Sequence, residues 1–250
     1  MSKKSFDNFG LAAKRMSNYT VMASRYAHQS VNERRIIVDL QHKLDLKPND
    51  TLLEIGCNSG TLLIPLSFLV RQSFAVDHED CLKVLTARFN DTSIVSMPGN
   101  FLDLQFEEKF NKILIYSVLH YLSDESELMD FVDKAMDILA PGGRLLLGDI
   151  PNSDKRERFR ATEQGRRWLE EFDQHRQEAK LSCAEECISQ GLTCAEKDSN
   201  CVAFGDDLVF SILRRARCRG FESYLLEQHP LLPFGPERDD ILICATECFC

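Results

Sequence analysis

The stretch TLLEIGCNSG, residues 51–60, decides the fold of this 250-residue chain. Its first half, Thr51–Ile55, has the apolar character of a buried strand and carries one acid, Glu54. A turn of small residues follows, and the apolar run after it predicts a helix over 60–70. A strand, a glycine turn and a helix in this order bring backbone N–H groups and the positive end of a helix to a ligand. The stretch therefore predicts a nucleotide-like ligand at the carboxyl end of a first strand.

The composition is that of an ordinary globular protein, with 44% hydrophobic and 28% charged residues. No apolar run reaches the roughly 18–20 residues that a membrane helix needs, so we expect no membrane span. The N-terminal MSKKSFDNFG has no apolar core of a secretory signal, which makes a cytoplasmic location the default expectation. A net charge of −9 argues against nucleic acid as a partner. We expect a small-molecule substrate and leave a homodimer open.

Ten cysteines raise the question of disulfides or a metal site. A chain of this length without a secretory signal is not expected to form disulfides. Four cysteines cluster late in the chain, at Cys183, Cys187, Cys194 and Cys201, but none of their gaps is that of a CxxC pair. We therefore predict free thiols and no metal, with a structural zinc site as the alternative.

Short apolar strands alternate with helices along the middle of the chain. The predicted strands are 51–55, 73–77, 92–96, 111–117, 144–150, 221–228 and 239–246, and the predicted helices are 31–44, 60–70, 79–89, 124–139 and 206–218. Ser123 is the expected cap of the helix over 124–139, and Pro141-Gly142-Gly143 is expected to end it. Such alternation predicts an α/β fold with a doubly wound, mostly parallel sheet.

The strand pattern stops after residue 150 and returns at 206. We predict an N-terminal helical arm over 1–45, a ligand-binding domain over 46–150 and 206–250, and a helical cap over 151–205. Within the cap, a long charged helix over 153–180 is expected to break at Gly165. Insertions at this end of a doubly wound sheet cover the ligand crevice.

Four segments in this order resemble the class I, seven-stranded S-adenosylmethionine-dependent methyltransferases. They are LLEIGCNSG at 52–60, AVD at 75–77, GNFLDL at 99–104 and LAPGGRLLLGD at 139–149. The resemblance implies a Rossmann-like sheet of seven strands with an antiparallel last strand, and S-adenosylmethionine as the cofactor. One departure concerns the centre of the loop, where the family often has glycine and this chain has Asn58. Asparagine tolerates left-handed backbone angles, so the loop can survive.

The resemblance also assigns residues to the cofactor. These are Arg25, Tyr26, Glu54, Gly56, Cys57, Asn58, Gly60, Asp77, His78, Asn100, Phe101 and Ser117. Glu54 would face the methionine amino group, Asp77 the ribose hydroxyls, and Arg25 the methionine carboxylate. The alternatives are an ordinary ion pair for Glu54, a helix cap for Asp77 and solvated arm residues for Arg25 and Tyr26. Asp103 is the alternative to Asn100 at the adenine.

The implied reaction is methyl transfer, in which positioning donor and acceptor is the main task. His120, Tyr121 and Asp149 follow strands at the ligand edge and are the candidates for a general base. A structural hydrogen bond is the alternative for His120, and a loop cap is the alternative for Asp149. In the cap, Trp168 and Phe172 are expected to wall the acceptor pocket or to pack in the core.

Two segments, GDIPN at 148–152 and GFESYLLEQHPLLPFGPERDDILI at 220–243, are similar to methyltransferases found with bacterial surface-polysaccharide biosynthesis. This similarity suggests a sugar or nucleotide-sugar hydroxyl or amine as acceptor. Two other classes stay open at this point. A non-catalytic subunit could keep the fold without the cofactor, and an NAD(P)-dependent oxidoreductase could use a Rossmann sheet, although its G-x-G-x-x-G pattern is absent.

Overall fold

The computed structural model describes residues 3–15, 18–23, 25, 29–190 and 201–246. Within them, seven strands form one sheet in the order β3-β2-β1-β4-β5-β7-β6. The strands are β1 (Thr51–Ile55), β2 (Gln72–Asp77), β3 (Ile94–Pro98), β4 (Phe110–Tyr116), β5 (Leu139–Pro151), β6 (Glu222–Glu227) and β7 (Arg238–Cys244). The pairs among β1 to β5 are parallel, and β7 runs antiparallel to both neighbours. The predicted mostly parallel sheet with an antiparallel last strand is confirmed.

Helices flank the sheet and bury both of its faces. They are α1 (Lys3–Arg15), α2 (Tyr19–Met22), α3 (Ser30–Leu44), α4 (Leu63–Ser67), α5 (Glu79–Arg88), α6 (Glu125–Asp137), α7 (Ser153–Arg160), α8 (Glu163–Gln190) and α9 (Asp206–Cys218). The central strand β1 is buried along its whole length, as its apolar sequence predicts. One apolar cluster joins α6 and α9 to the sheet, and a second joins α3, α4 and α5 to it.

The helix after the first strand is much shorter than the sequence predicts. It spans Leu63–Ser67 instead of 60–70. The loop before it uses Gly60 at φ 75°, outside the helical region. Because the helix begins late, Pro65 falls within its first turn, where a missing N–H costs no helical hydrogen bond.

Two further boundaries correct the sequence prediction. Asp124, not Ser123, caps α6, because its side chain accepts a hydrogen bond from the Glu127 N–H at 2.9 Å. That helix ends at Asp137, and the Pro141-Gly142-Gly143 run belongs to the long strand β5. The strand gains this extension because Phe110 pairs with Leu139 ahead of the regular β4–β5 register.

The cap breaks into two helices before Gly165, not at it. The backbone between α7 and α8 turns at residues 161–162. Thr162 then caps α8, since its hydroxyl accepts a hydrogen bond from the Gly165 N–H at 3.0 Å. Of the clustered cysteines, Cys194 lies outside the described residues, as do the side chains of Cys183 and Cys187. No helix within the described residues combines the length and apolarity that would let it cross a membrane.

Candidate active site

The loop after β1 approaches the end of β4 very closely. Gly56 has φ 80°, and a Cβ added there would lie 2.4 Å from a methyl group of Val118. Its N–H donates to the Val76 carbonyl at 2.8 Å, which holds the turn against β2. Only glycine satisfies both the left-handed backbone and the close approach, so the loop has the shape that the sequence predicts.

Asn58 supplies the conformation that is expected of glycine and adds hydrogen bonds of its own. Its φ is 50°, and its backbone N–H donates to Asp77 Oδ2 at 2.6 Å. The side-chain oxygen accepts from the Ser59 N–H at 2.7 Å, and Nδ2 donates to the Met22 carbonyl at 3.2 Å. The residue that departs from the family pattern thus ties the loop to the N-terminal arm.

Asp77 is buried at the end of β2, beside this loop. Its second oxygen, Oδ1, accepts from the His78 N–H at 2.6 Å. Burial raises the pKa of this carboxyl, although the backbone donors of His78 and Asn58 oppose the shift. Each carboxylate oxygen has more than one lone pair, so Asp77 can still accept from ribose hydroxyls.

Glu54 is a buried acid whose Oε2 has no hydrogen-bond partner within the described residues. It lies in β1 with 2% of its surface exposed. Desolvation raises its pKa to about 8, against the attraction of Arg25, and Asp77 adds to the rise. An orphaned buried carboxyl beside a cavity fits an incoming cation such as the ammonium group of methionine.

Arg25 reaches the same cavity from the arm. Its Nη1 donates to Glu33 Oε1 at 3.0 Å and its Nη2 to Ser117 Oγ at 3.4 Å. The guanidinium also lies over the Tyr116 ring, 5.8 Å from the centroid. A buried cation and a buried acid therefore line one cavity, and together they complement the two charges of an amino-acid group. Tyr26, the second predicted arm residue, lies outside the described residues.

The arm covers the cavity. Phe9 packs edge-on against Tyr121 at 5.1 Å, and Phe6 packs against the His78 ring at 5.1 Å between centroids. Lys14 forms an ion pair with Asp80 at 2.9 Å. Beneath the arm the cavity measures about 50 Å³. Ligand pockets span roughly 300–1,000 Å³, so we expect the arm to move when a cofactor binds.

The candidate bases lie at two places around this cavity. Tyr121 lines it, and His120 packs on Tyr121 with 4.2 Å between ring centroids. Asp149 accepts a hydrogen bond from Ser117 Oγ, and its other oxygen lies 3.5 Å from Nε of Arg238. Both Ser117 and Asp149 have left-handed backbones, with φ of 60° and 58°. Strained backbones of this kind concentrate at functional sites.

Some predicted site residues lie away from the cavity lining. His78 caps α5, where its Nδ1 accepts from the Asp80 N–H at 3.1 Å. Phe101 is buried in the core against Phe131, with 4.8 Å between their rings. Asn100 Oδ1 accepts from the Leu102 N–H at 3.3 Å and stabilises its own turn. The adenine contacts of Asn100 and Phe101 stay predictions.

Sequence reasoning missed several lining residues. The cavity lining adds Phe9, Ala23, Thr61, Leu62 and Tyr116 to the predicted residues, and it includes Val118, which the resemblance places beside Ser117 at the end of β4. Tyr116 precedes the predicted Ser117, so the end of β4 was the available signal for it. Nothing local marks Phe9, because an aromatic residue on a weak helix is usually a packing residue.

An aromatic cluster lies beyond Arg238, on the cap. Trp168 stacks on Phe172 with 5.1 Å between centroids and a 9° angle between ring planes. Phe172 meets Phe234 at 5.5 Å, and the guanidinium of Arg238 lies 5.1 Å from the Phe234 ring. Phe234 itself has φ 60°, a strained value for an aromatic residue. The cluster is half-buried and so presents ring surface at the sheet edge.

Comparison with known proteins identifies the family of the chain. The family model of Nodulation protein S (NodS) matches residues 20–161. The N-methyltransferase NodS of Bradyrhizobium japonicum WM9, solved with S-adenosyl-L-homocysteine, is 18% identical, with a TM-score of 0.57 and coverage of 94% of this chain and 96% of that one. Haemonchus contortus phosphoethanolamine N-methyltransferase 1 is 15% identical, with a TM-score of 0.68 and coverage of 98% of this chain and 49% of that one.

The curated relatives match shorter stretches. The probable non-canonical nonribosomal peptide synthetase CymA of Salinispora arenicola is 31% identical over 105 residues, which is 40% of this chain and 1% of that protein. A probable cobalt-precorrin-6B C(15)-methyltransferase of Methanococcus maripaludis is 32% identical over 77 residues, covering 29% of this chain and 42% of that one. The chain thus spans only a small part of CymA and under half of the second relative.

The sheet order, the glycine loop and the acids at the ends of β1 and β2 define a class I S-adenosylmethionine-dependent methyltransferase. The chain belongs to the NodS family, whose model covers more than half of its length. S-adenosylmethionine is its cofactor, and this excludes the NAD(P)-dependent alternative.

Proposed function

We propose that the protein methylates an amino group of a small-molecule acceptor. S-adenosylmethionine supplies a methyl group activated on a sulfonium. The two solved neighbours named above are both N-methyltransferases, which favours nitrogen over oxygen as the acceptor atom. The carboxylate of Asp149 supports the same choice, because a carboxylate attracts an ammonium ion and can take its proton.

The proposed cofactor site uses opposite charges at its methionine end. Glu54 would bind the ammonium group and Arg25 the carboxylate, since both line the same cavity. Asp77 would accept from the ribose hydroxyls, and the loop from Gly56 to Gly60 would pack its backbone against the cofactor. Ser117 would lie near the sulfur, at the end of β4.

One observation carries the acceptor site: a continuous path of contacts from the cofactor cavity to the cap. Asp149, bound to Ser117 of the cavity lining, pairs with Arg238 at 3.5 Å. Arg238 covers Phe234, and Phe234 meets the stacked pair of Phe172 and Trp168. An acceptor lying on these rings would direct its reacting end toward Asp149. The first part of α8, which carries Trp168 and Phe172, therefore supplies one wall of the proposed acceptor site.

The chemistry asked of these residues is modest. An amine is mostly protonated near neutral pH, and its nitrogen can react only after it loses a proton. Asp149 would accept that proton on a carboxylate oxygen, and Arg238 would stabilise the carboxylate beforehand. Tyr121 and His120 would hold the acceptor from the opposite side of the cavity. General-base assistance of this kind contributes about 10²–10⁴-fold to a rate.

A sugar amine is the acceptor class that the ring surface favours. The faces of sugars are apolar enough to stack on aromatic side chains, and Trp168 and Phe172 offer two parallel rings. The two segments that resemble methyltransferases of surface-polysaccharide biosynthesis contain Asp149, Phe234 and Arg238. Three residues of the proposed acceptor path thus lie within the segments on which that resemblance is based.

The test compares paired acceptors that differ only in the reacting group. Purified protein, radiolabelled S-adenosylmethionine and a panel such as glucosamine with glucose, free and linked to a nucleotide, would be assayed for methyl incorporation. We expect methylation of the amines alone, located on nitrogen by mass spectrometry. Methylation of the hydroxyl partners alone would overturn the choice of nitrogen. Binding of S-adenosylhomocysteine without transfer to any member would favour a non-catalytic subunit.

Trp168→Ala tests the acceptor wall separately from the cofactor. We expect the KM for the acceptor to rise about tenfold, because a stacked ring contributes on the order of 1 kcal/mol or more, while affinity for S-adenosylhomocysteine stays within about twofold. Arg167→Ala is the matched control, since the neighbouring Arg167 has a side chain that is 74% exposed. An equal effect of the two variants would place the acceptor elsewhere.

A further inference from the structure

We propose that Glu33 is a positioning residue that aims Arg25 at the amino-acid end of the cofactor. This inference rests on the cofactor site described above and adds a residue to it. Glu33 lies in the first turn of α3, outside the cavity lining. An acid in a first helical turn usually serves only to complement the helix dipole at the surface.

Both oxygens of Glu33 are directed to the arm. Oε2 accepts from the Thr20 hydroxyl at 2.8 Å, and Oε1 accepts from Arg25 Nη1 at 3.0 Å. The side chains of Glu33 and Arg25 are only 9% and 7% exposed. Burying an acid costs free energy that a dipole interaction at the surface would not require. The burial is therefore explained by the pair and not by the helix.

Arg25 needs such a partner to hold one orientation. It lies on the short connection between α2 and α3, and its side chain has four rotatable bonds. Glu33 holds one end of the guanidinium, and Ser117 holds the other more weakly, at 3.4 Å. A guanidinium has five N–H donors, so donors remain for a carboxylate in the cavity. Without Glu33, the guanidinium would lose the closer of these two hydrogen bonds and would be free to turn within the cavity that Glu54 also lines.

The orientation of the Arg25 guanidinium matters because Glu54 lines the same cavity. If the cation approached Glu54, it would favour loss of the Glu54 proton, and the ion pair so formed would occupy both groups that the cofactor needs. The hydrogen bond from Arg25 to Glu33 holds the guanidinium away from Glu54. We infer that Glu33 favours binding of the amino-acid part of the ligand specifically and has little effect on the nucleoside part.

Two ligands separate this role from a general structural one. S-adenosylhomocysteine carries the amino-acid group, and 5′-methylthioadenosine lacks it. Calorimetry on Glu33→Gln should show that the affinity for S-adenosylhomocysteine falls roughly 10- to 30-fold, as expected for a lost charge-assisted hydrogen bond. The affinity for methylthioadenosine should fall by less than about twofold. Glu33→Asp should restore part of the affinity. Glu79→Gln is the matched control, because Glu79 is an exposed acid in the first turn of α5.

A double-mutant cycle completes the test. In a protein that already carries Arg25→Ala, adding Glu33→Gln should lower the affinity for S-adenosylhomocysteine by no more than about a further twofold. An equal loss for both ligands, or unchanged binding of S-adenosylhomocysteine, would overturn the inference. If Glu33→Gln does not fold, Thr20→Val leaves the Arg25 pair intact and should keep the ligand ratio of the wild type; a shifted ratio would also overturn the inference. Failure of the wild type to bind either ligand would instead refute the cofactor site.

Discussion

At the scale of single residues, Glu54 lowers the stability of the folded protein at a position that the proposed site uses. Its carboxyl is buried, and its Oε2 lacks a hydrogen-bond partner within the described residues. The folded protein therefore holds a proton on Glu54 up to pH about 8, against an ordinary pKa of 4.5. The unfolded chain releases that proton at lower pH, so raising the pH from about 4.5 to about 8 lowers the free energy of unfolding.

Glu54→Gln should therefore stabilise the ligand-free protein and lower its affinity for the cofactor. We expect a gain on the order of 1–3 kcal/mol in the free energy of unfolding at pH 8, measured by urea titration, and little gain at pH 5. Calorimetry at pH 7 should show about one proton released when S-adenosylhomocysteine binds the wild type, and none for the variant. Equal proton release by both proteins would remove Glu54 from the ammonium site.

Asn58 lies where class I methyltransferases often have glycine, at the centre of the loop after β1. The structure gives it a left-handed backbone and a side-chain hydrogen bond to the Met22 carbonyl of the arm. Glycine would keep the first property and lose the second. Asparagine at this position therefore has less backbone freedom than glycine, but its side chain links the loop to the arm.

Asn58→Gly should release the arm without distorting the loop. We expect affinity for S-adenosylhomocysteine to fall about three- to tenfold, consistent with one lost hydrogen bond of about 1 kcal/mol, and limited proteolysis to cut the arm faster. Asn49→Gly, in an exposed turn, serves as the control. A variant as resistant to protease as the wild type would show that this bond does not hold the arm.

At the scale of elements, the arm depends on close packing of α1 against α5. A Cβ added at Gly10 would lie 2.4 Å from the His78 ring, so α1 approaches α5 only because position 10 lacks a side chain. The sequence predicts a weak helix here and gives no reason for this glycine, since glycine lowers helix stability by about 1 kcal/mol relative to alanine. The contact with His78 supplies the reason.

Gly10→Ala should favour the helix locally and still displace the arm. We expect weaker binding of S-adenosylhomocysteine, by about three- to tenfold, if the lost contact is worth about 1 kcal/mol. Combining it with His78→Asn should restore binding, because asparagine keeps the helix cap and removes the ring. Calorimetry on the single and double variants measures both effects. Unchanged binding by Gly10→Ala would argue against α1 as a cover of the cofactor site.

At the scale of the whole molecule, the sheet brings distant segments to one edge. The carboxyl ends of β1, β2 and β4 meet there because these strands are parallel neighbours. Arg25 and Ser117 meet although 92 residues separate them in the chain. The arm then closes the cavity to about 50 Å³. We therefore expect cofactor binding to be coupled to the position of the arm.

Ligand-induced stabilisation tests this coupling together with cofactor choice. S-adenosylhomocysteine at 100 times its Kd should add about 2.7 kcal/mol, which corresponds to a Tm rise of roughly 5–10 °C for a chain of this size. NADH at the same concentration should leave Tm unchanged. A chain that lacks α1 should still bind but with a smaller rise. Stabilisation by NADH alone would contradict the assigned cofactor.

The sequence by itself determined the strands, the glycine loop and the acids that end β1 and β2. Apolar strands of this length and helices with regular periodicity depend on local pattern, which a single chain carries in full. For that reason β1 and α9 begin and end where the sequence predicts. The helix after β1 was overestimated, because its start depends on how the loop turns.

Only the tertiary structure decided which side chains line the cavity. Phe101 is buried beside Phe131, where a large apolar ring gains free energy from burial, and its contact with adenine stays a prediction. Nothing in the local sequence marks Glu33, which pairs with Arg25 inside the protein. Such contacts join residues far apart in the chain, and no local pattern records them. They arise when the sheet and the arm come together, because charges and rings can then select among several partners.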